Sequence, residues 1–243
     1  MFAIVDGIDG SGKSTVLQAW ADYLLAADNA VFDLRAYWKI HHRHPGAAEL
    51  RPYNFIISGE PTHAGVGRVI RDELIRQGTG YPERAIAEAY SLDRLILYTT
   101  VILPALQDGK TVLQDRGVST SLCYQALSGQ LTEKFLTALP GNTLALQHPP
   151  DHLVLLNSEP AVALSRLGKR TTKRDNVIFE NLAFQTAAAA RFASSQFRAL
   201  FTDCGTVIHD LAADVKIDIL QQEATRLLSR LLASHPRPRV IPA

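Results

Sequence analysis

A three-layer α/β fold, with helices on both faces of a mostly parallel sheet of about five strands, is what the 243-residue sequence predicts. Short apolar segments alternate with longer stretches of helical periodicity, the pattern of strands connected by crossover helices. The strongest of the apolar segments are short and run straight into turn or polar residues. No internal repeat or low-complexity linker breaks the alternation.

The strand candidates are Phe2–Val5, Ala30–Arg35, Asn54–Ser58, Thr111–Gln114, His152–Leu156 and Thr206–Asp210. The first helix, Ser14–Ala27, carries Val16, Leu17, Trp20 and Leu24 on one face. Thr62–Gln77 and Pro82–Gln107 follow, the second apolar enough (LILYTTVIL) to be central, with Pro104 expected to kink or shorten it. Further helices are expected over Val118–Leu127, Thr132–Ala138, Pro160–Leu167, Phe179–Leu200 and Ala213–Ala233. The stretch Trp38–Tyr53 breaks the pattern with prolines and three histidines, and reads as an excursion between two strands. His41, His42 and His44 are crowded and lack a carboxylate partner, so a solvated basic loop is expected there rather than a metal site. One domain over residues 1–233 and a disordered tail from 234 to 243 complete the expected organisation.

Composition narrows the function. Hydrophobic residues make up 47% and charged residues 20%, ordinary for a soluble domain, and a formal net charge of +1 points to neither polymeric nucleic acid nor a membrane surface. No apolar run approaches the roughly 18 residues that span a bilayer. The start of the chain lacks the basic leader and long apolar segment of a signal peptide. Cys123 and Cys204 are far apart without metal-ligand spacing, which fits a cytoplasmic protein with reduced thiols.

The chemistry concentrates in GIDGSGKST, directly after the first strand and opening the first helix. Gly7, Gly12, Lys13 and Ser14 meet the spacing of a phosphate-binding loop, in the strand-to-helix context that such a loop requires. Glycines let backbone N–H groups turn inward on phosphates, and the helix N-terminus favours the anion. Gly10, Ser11 and Thr15 complete the nucleotide-binding segment; Lys13 is placed for the outer phosphates and the Ser14 hydroxyl for Mg²⁺. Asp115 ends the apolar strand TVLQD, where ligands bind in open α/β sheets. It can hold the metal through water, orient the attacking oxygen or cap the next helix.

The bound nucleotide could serve a switch, a motor or a phosphoryl transfer. No Asn-Lys-x-Asp segment reads a guanine base. Two dipeptides, Asp93-Arg94 in an apolar helix and Asp115-Arg116 at a strand end, suit the gripping of a phosphorylated acceptor, since a buried arginine demands an anion. Each arginine could instead pair with a local aspartate.

Over residues 2–210 the chain resembles the thymidylate kinases, a family of P-loop nucleoside monophosphate kinases. The matching segments are DGIDGSGKST, the GEPT turn at Gly59–Thr62, GRVIRDEL, AYSLDRLILY, QDRGVSTSLCYQ and PDHLVLLNSEPAVALSRL, with KRTTKRDNVIFEN similar to the family's mobile lid, near residues 168–179. The wording GEPTHAGVGRVIR and LPGNTLALQHPPD is closest to an archaeal-type branch. The resemblance implies a P-loop kinase fold, ATP as phosphoryl donor with Mg²⁺, a deoxynucleoside monophosphate (dTMP) as acceptor, and a homodimer. It implies that Asp9 bonds the 3′-hydroxyl of the acceptor sugar and that Arg94 and Arg116 hold its phosphate. Tyr90 would stack on thymine. Ser121 and Tyr124 would lie by the base and sugar, Tyr124 excluding a 2′-hydroxyl. The phosphate loop has no arginine, so Arg170 or Arg174 in the lid would neutralise the transferring group, and Glu60 is a further metal or acceptor contact. Gly59, Gly117, Ser121 and the 38–53 insertion depart from the family pattern and bear on base selectivity. A kinase for another deoxynucleotide or a deoxynucleoside, or a nucleotide-dependent switch, are the alternative readings.

Overall fold

The computed structural model describes residues 1–169, 178–179 and 181–235. Its strands are β1 (Phe2–Gly7), β2 (Val31–Asp33), β3 (Phe55–Gly59), β4 (Thr111–Asp115), β5 (His152–Asn157) and β6 (Val207–Ala212). All adjacent pairs are parallel, in the order β2-β3-β4-β1-β5-β6. The sheet therefore has six strands where about five were expected, because the short edge strand β2 pairs with β3 from Val31↔Phe55 to Asp33↔Ile57.

β1 shows why the chain needs two layers of helix. Every residue of it is buried, and successive side chains enter opposite cores: Phe2 and Ile4 join one cluster, Ala3 and Val5 the other. The second cluster is closed by α1 (Lys13–Ala26) and, at the far end of the chain, α13 (Ile217–Ser234). These two helices are tied by Trp20 Nε1, which donates to the Ala224 carbonyl at 2.7 Å.

The region between β2 and β3 is more ordered than the sequence suggests. Asp33 accepts the backbone N–H groups of Arg35 (2.9 Å) and Ala36 (3.4 Å), which ends the strand and starts α2 (Leu34–His41). A one-turn helix, α3 (Ala47–Leu50), follows. The reading of 38–53 as irregular is corrected accordingly: Trp38 is wholly buried, His44 packs edge-on against it with ring centres 5.6 Å apart, and His41 lies 4.2 Å from Tyr37. Among the described residues no group of three or more His, Cys, Asp or Glu side chains is placed to hold a metal.

After β3 come α4 (Gly65–Val69), which passes into a wider turn at Ile70–Leu74, then α5 (Glu83–Leu97) and α6 (Leu103–Gln107). Pro104 does not end the predicted 82–107 helix. The path widens over Tyr98–Ile102 just before it, absorbing the donor that proline lacks, and continues to Gln107. Beyond β4 lie α7 (Val118–Tyr124), α8 (Glu133–Ala138) and α9 (Pro140–Gln147), the last absent from the sequence reading. α10 (Pro160–Gly168) follows β5. The predicted helix over 179–200 is two helices, α11 (Leu182–Ala193) and α12 (Ser195–Thr202), because Ser194 leaves the helical conformation and caps the second through the Phe197 N–H. α13 runs to Ser234, one residue into the segment expected as tail. No helix of the described residues is long and apolar enough to cross a membrane.

Candidate active site

The chain leaves β1 towards β2 on one side and, after β4, crosses to β5 on the other. Loops at the C-terminal strand ends meet at that reversal, where open α/β sheets bind ligands. A cleft of about 740 Å³ opens there, lined by Lys13 and Ser14 after β1, Glu60 after β3, Asp115 and Arg116 at β4, Tyr90 and Arg94 from α5, and Ser121 and Tyr124 from α7.

The phosphate loop is held by its own lysine. Lys13 Nζ donates to the carbonyls of Gly7 (2.9 Å) and Ile8 (2.7 Å). Burial, and then the charge of Arg116, lower its pKa to about 8. Gly10 stands at φ 84° with an added Cβ only 2.1 Å from the Ala163 carbonyl, so this turn excludes any side chain. Ser11 Oγ is buried without a hydrogen-bond partner among the described residues. Gly12, left-handed at φ 103°, precedes α1, and the Thr15 N–H returns to its carbonyl at 2.9 Å. Behind the loop, buried Asp6 accepts from the Gly7 N–H (2.8 Å), Ser119 Oγ (2.5 Å) and Thr120 Oγ1 (2.8 Å), locking β1 to α7. Burial pushes the Asp6 carboxyl up despite Arg116 and Lys13 nearby.

Each Asp-Arg dipeptide sends its two side chains to different partners. Asp93 accepts from the Thr62 N–H and Thr62 Oγ1, both at 2.7 Å, and so fixes the turn after β3. Arg94 instead lies against Glu60, with Nη2 2.6 Å from Oε2; its Nη2 also donates to Ser121 Oγ at 2.9 Å and its Nη1 to Asn142 Oδ1. Its Nε is buried and unbonded among the described residues. Asp115 faces Ser14, whose Oγ is 3.5 Å from Oδ2, while Oδ1 is buried and without a hydrogen-bond partner among the described residues. Arg116 adopts a left-handed φ of 64°, uncommon outside glycine, and pairs with Asp9 through Nη2. Its Nη1, 3.9 Å from Asp6, is buried with no hydrogen bond among the described residues. Burial works against the Asp9 charge, yet Arg116 and Lys13 outweigh it and hold the carboxyl below its ordinary value.

Tyr124 packs under Arg116, whose guanidinium is 5.7 Å from the ring centre, and against Phe179 and Phe184. Tyr90 borders the cleft on a small apolar cluster with Ile70, Ile75 and Phe179, and burial raises its hydroxyl to about 12. Arg170 and Arg174 lie outside the described residues, as does most of the lid segment.

Several side chains that shape this cleft escaped the sequence reading. Gln185, wholly buried on α11, accepts the Asp9 N–H at 2.9 Å and donates to Asp9 Oδ2 at 3.2 Å. A glutamine within the alanine-rich AFQTAAAARF was its only signal. Asn142 sits on the helix that was missed. Arg71 donates to the Pro61 and Thr62 carbonyls (Nε, 2.8 and 3.2 Å), and Arg35 reaches the cleft from α2. Arg71 lay inside the family segment GRVIRDEL but was given no role there, and Arg35 carried no motif.

A parallel sheet with a phosphate loop at its reversal, a serine–aspartate pair beside the loop, and a buried and a half-buried arginine (Arg94 and Arg116) beyond it define a P-loop phosphotransferase. The thymidylate kinase family profile matches residues 48–210, beginning after α2. A thymidylate kinase of Leifsonia xyli subsp. xyli is 28% identical over 224 residues, covering 89% of this chain and 92% of that protein. One from Desulfovibrio desulfuricans is 31% identical, covering 74% and 72%, and a probable thymidylate kinase of Caldivirga maquilingensis is 28% identical, covering 70% and 69%. The chain belongs to the thymidylate kinase family, whose members are ATP-dependent nucleoside monophosphate kinases.

Proposed function

We propose that this protein transfers the γ-phosphoryl group of ATP to the 5′-phosphate of dTMP, giving dTDP. The observation that carries the reading is Arg116: a half-buried guanidinium whose Nη1 is buried and unbonded among the described residues, in a left-handed backbone conformation, beside the phosphate loop. A residue so held suits a phosphate that arrives from outside. The curated relatives named thymidylate kinase favour this over a nucleotide-dependent switch.

Lys13 and the loop N–H groups hold the β- and γ-phosphates, with Gly7, Gly10, Ser11, Gly12, Ser14 and Thr15 forming the ATP cradle. Ser14 and Asp115 suit Mg²⁺: both offer hard oxygen ligands, and Asp115 Oδ1 is a buried acceptor left open. The metal would neutralise charge on the bridging phosphates. Asp9 is the contact for the acceptor sugar, held by Gln185 and Arg116. Arg116 and Arg94 serve the acceptor phosphate, and Arg94, tied to Ser121 and Glu60, also fixes the floor on which the base rests. Tyr90 stacks on that base and Tyr124 crowds the 2′ position. Arg170 or Arg174 supplies the further cation for the transferring group. The domain spans residues 1–233, and the protein works as a cytoplasmic homodimer.

The test is ADP formation from ATP and Mg²⁺ with dTMP, dUMP, dCMP, dGMP, dAMP, UMP and thymidine as acceptors. Preference for dTMP is expected. Preference for another monophosphate would keep the chemistry and move base selectivity to Ser121 and Gly117; turnover with thymidine alone, or with no acceptor, would overturn the reading.

A further inference from the structure

Asp33, Arg35 and Lys39, in the segment ahead of the family match, line the same cleft as Ser14 and Asp115. Arg35 is fixed there by its own pair. Its Nε and Nη2 meet the two carboxylate oxygens of Asp33 at 3.0 and 2.8 Å, while Asp33 is itself anchored as the cap of α2. This fork leaves Nη1 unused by Asp33, and the side chain is only 20% exposed.

The side chain lies over Gly59. A Cβ built on Gly59 would be 3.7 Å from Arg35 Cδ and 3.5 Å from the Asp115 Cβ, so alanine fits and a longer side chain meets Arg35. Gly59 has no left-handed φ that would call for glycine. What its missing side chain provides is room for the arginine from α2. Strand order fixes the side on which this cation stands. β4 lies between β1 and β3, so Asp115 separates the phosphate loop from Gly59. Arg35 is thus beyond Asp115 from Lys13, next to the chain that leads through Glu60 and Pro61 to Arg94. Burial opposes its charge, but Asp33 and, more weakly, Asp115 keep it protonated.

We propose that Arg35 is a phosphate-binding residue for the acceptor, gripping the 5′-phosphate from the β3 side while Arg116 holds it from the β1 side. This rests on the acceptor being a nucleoside monophosphate, as proposed above. A guanidinium already oriented by Asp33 binds with little ordering cost, and its spare N–H groups are of the kind that recognise phosphate.

Steady-state kinetics and calorimetry on the full-length protein test it. Arg35→Ala is expected to raise the KM for dTMP by about tenfold or more, the scale of one charge-assisted contact, with the KM for ATP changed less than about twofold. Binding of dTMP should weaken while binding of thymidine, which has no phosphate, stays as in the wild type. The double variant Arg35→Ala/Gly59→Arg, which puts a guanidinium back over Asp115 from the strand itself, should recover part of the loss. Unchanged dTMP binding in Arg35→Ala overturns the inference alone, provided the wild type turns over dTMP. So does an equal loss for dTMP and thymidine, which would mark Arg35 as a packing residue. A wild type inactive towards dTMP and every other monophosphate removes the functional reading, and this inference with it.

Discussion

Arg94 Nη2 lies 2.6 Å from Glu60 Oε2, and both side chains are almost completely buried. This ion pair joins the central helix α5 to the end of β3, and the Ser121 and Asn142 bonds extend it to α7 and α9. Arg94→Ala would leave the Glu60 carboxylate buried without its counter-ion, a loss of about 3–5 kcal/mol. Urea unfolding should show it. Adding Glu60→Gln to the same variant should restore part of the stability; a double variant no more stable than the single would mean that the lost packing dominates. In kinetics, Arg94→Ala should raise the KM for the acceptor far more than that for ATP, and an equal rise for both would remove Arg94 from the acceptor site.

Lys13 is poised to take up a proton when phosphate arrives. Free of nucleotide, its amine has a pKa near 8, lowered by burial and Arg116. A polyphosphate beside it favours the charged form, so ATP binding should be accompanied by proton uptake between roughly pH 8 and the ordinary lysine value of about 10.4, and should weaken as pH rises through that window. Titration calorimetry in buffers of different ionisation enthalpy measures the uptake directly. In Lys13→Met the uptake should vanish and turnover be lost while the fold persists. The same depressed pKa makes the nucleotide-free protein gain stability from this group as pH rises from about 8 towards 10.4, because the unfolded chain then holds the extra proton.

Asp115 should report on the metal. With its Oδ1 unbonded among the described residues and Ser14 as its neighbour, it is the carboxylate we propose for Mg²⁺. Asp115→Ala should move the Mg²⁺ dependence of turnover to higher concentration, by about tenfold or more, the range seen when a metal's supporting ligands are lost. Affinity for ATP without metal should fall little. A variant with the wild-type Mg²⁺ profile would assign Asp115 to orienting the acceptor instead.

The sequence made the phosphate loop legible because its function requires fixed residue types at fixed spacing: Gly10 has no room for a Cβ, and Lys13 must follow Gly12 to fold back on the loop carbonyls. The four inner strands were legible because apolar runs of that length need cover on both faces, whereas the edge strands β2 and β6 are only partly covered. Arg94 and Arg116 stood out by being costly where they are. Their partners did not. Asn142 and Gln185 are neutral amides whose value depends on meeting Arg94 and Asp9 from 48 and 176 residues away, contacts that no local pattern encodes. Arg35 was hidden by the strand reading of Ala30–Arg35, since a single aspartate cap at Asp33 decides between strand and helix.

Gly141 carries a prediction that links packing to kinetics. On α9 it meets α5 backbone to backbone: its N–H donates to Ser91 Oγ at 2.9 Å, and an added Cβ would stand 1.9 Å from the Ser91 carbonyl oxygen. Neither helix backbone can yield that distance without sliding, so Gly141→Ala should cost about 1–3 kcal/mol or more. Asn142, the next residue, accepts from Arg94, so the slide should also disturb the acceptor end of the cleft. The expected result is a raised KM for dTMP with an unchanged KM for ATP. Gly129→Ala is the control: its φ of 74° makes alanine strained by about 1–2 kcal/mol, but no atom of the described residues lies within 4 Å of the new Cβ. That variant should lose stability without any kinetic change. If both variants lose stability and neither alters the KM for dTMP, then α9 supports the fold but does not position Arg94.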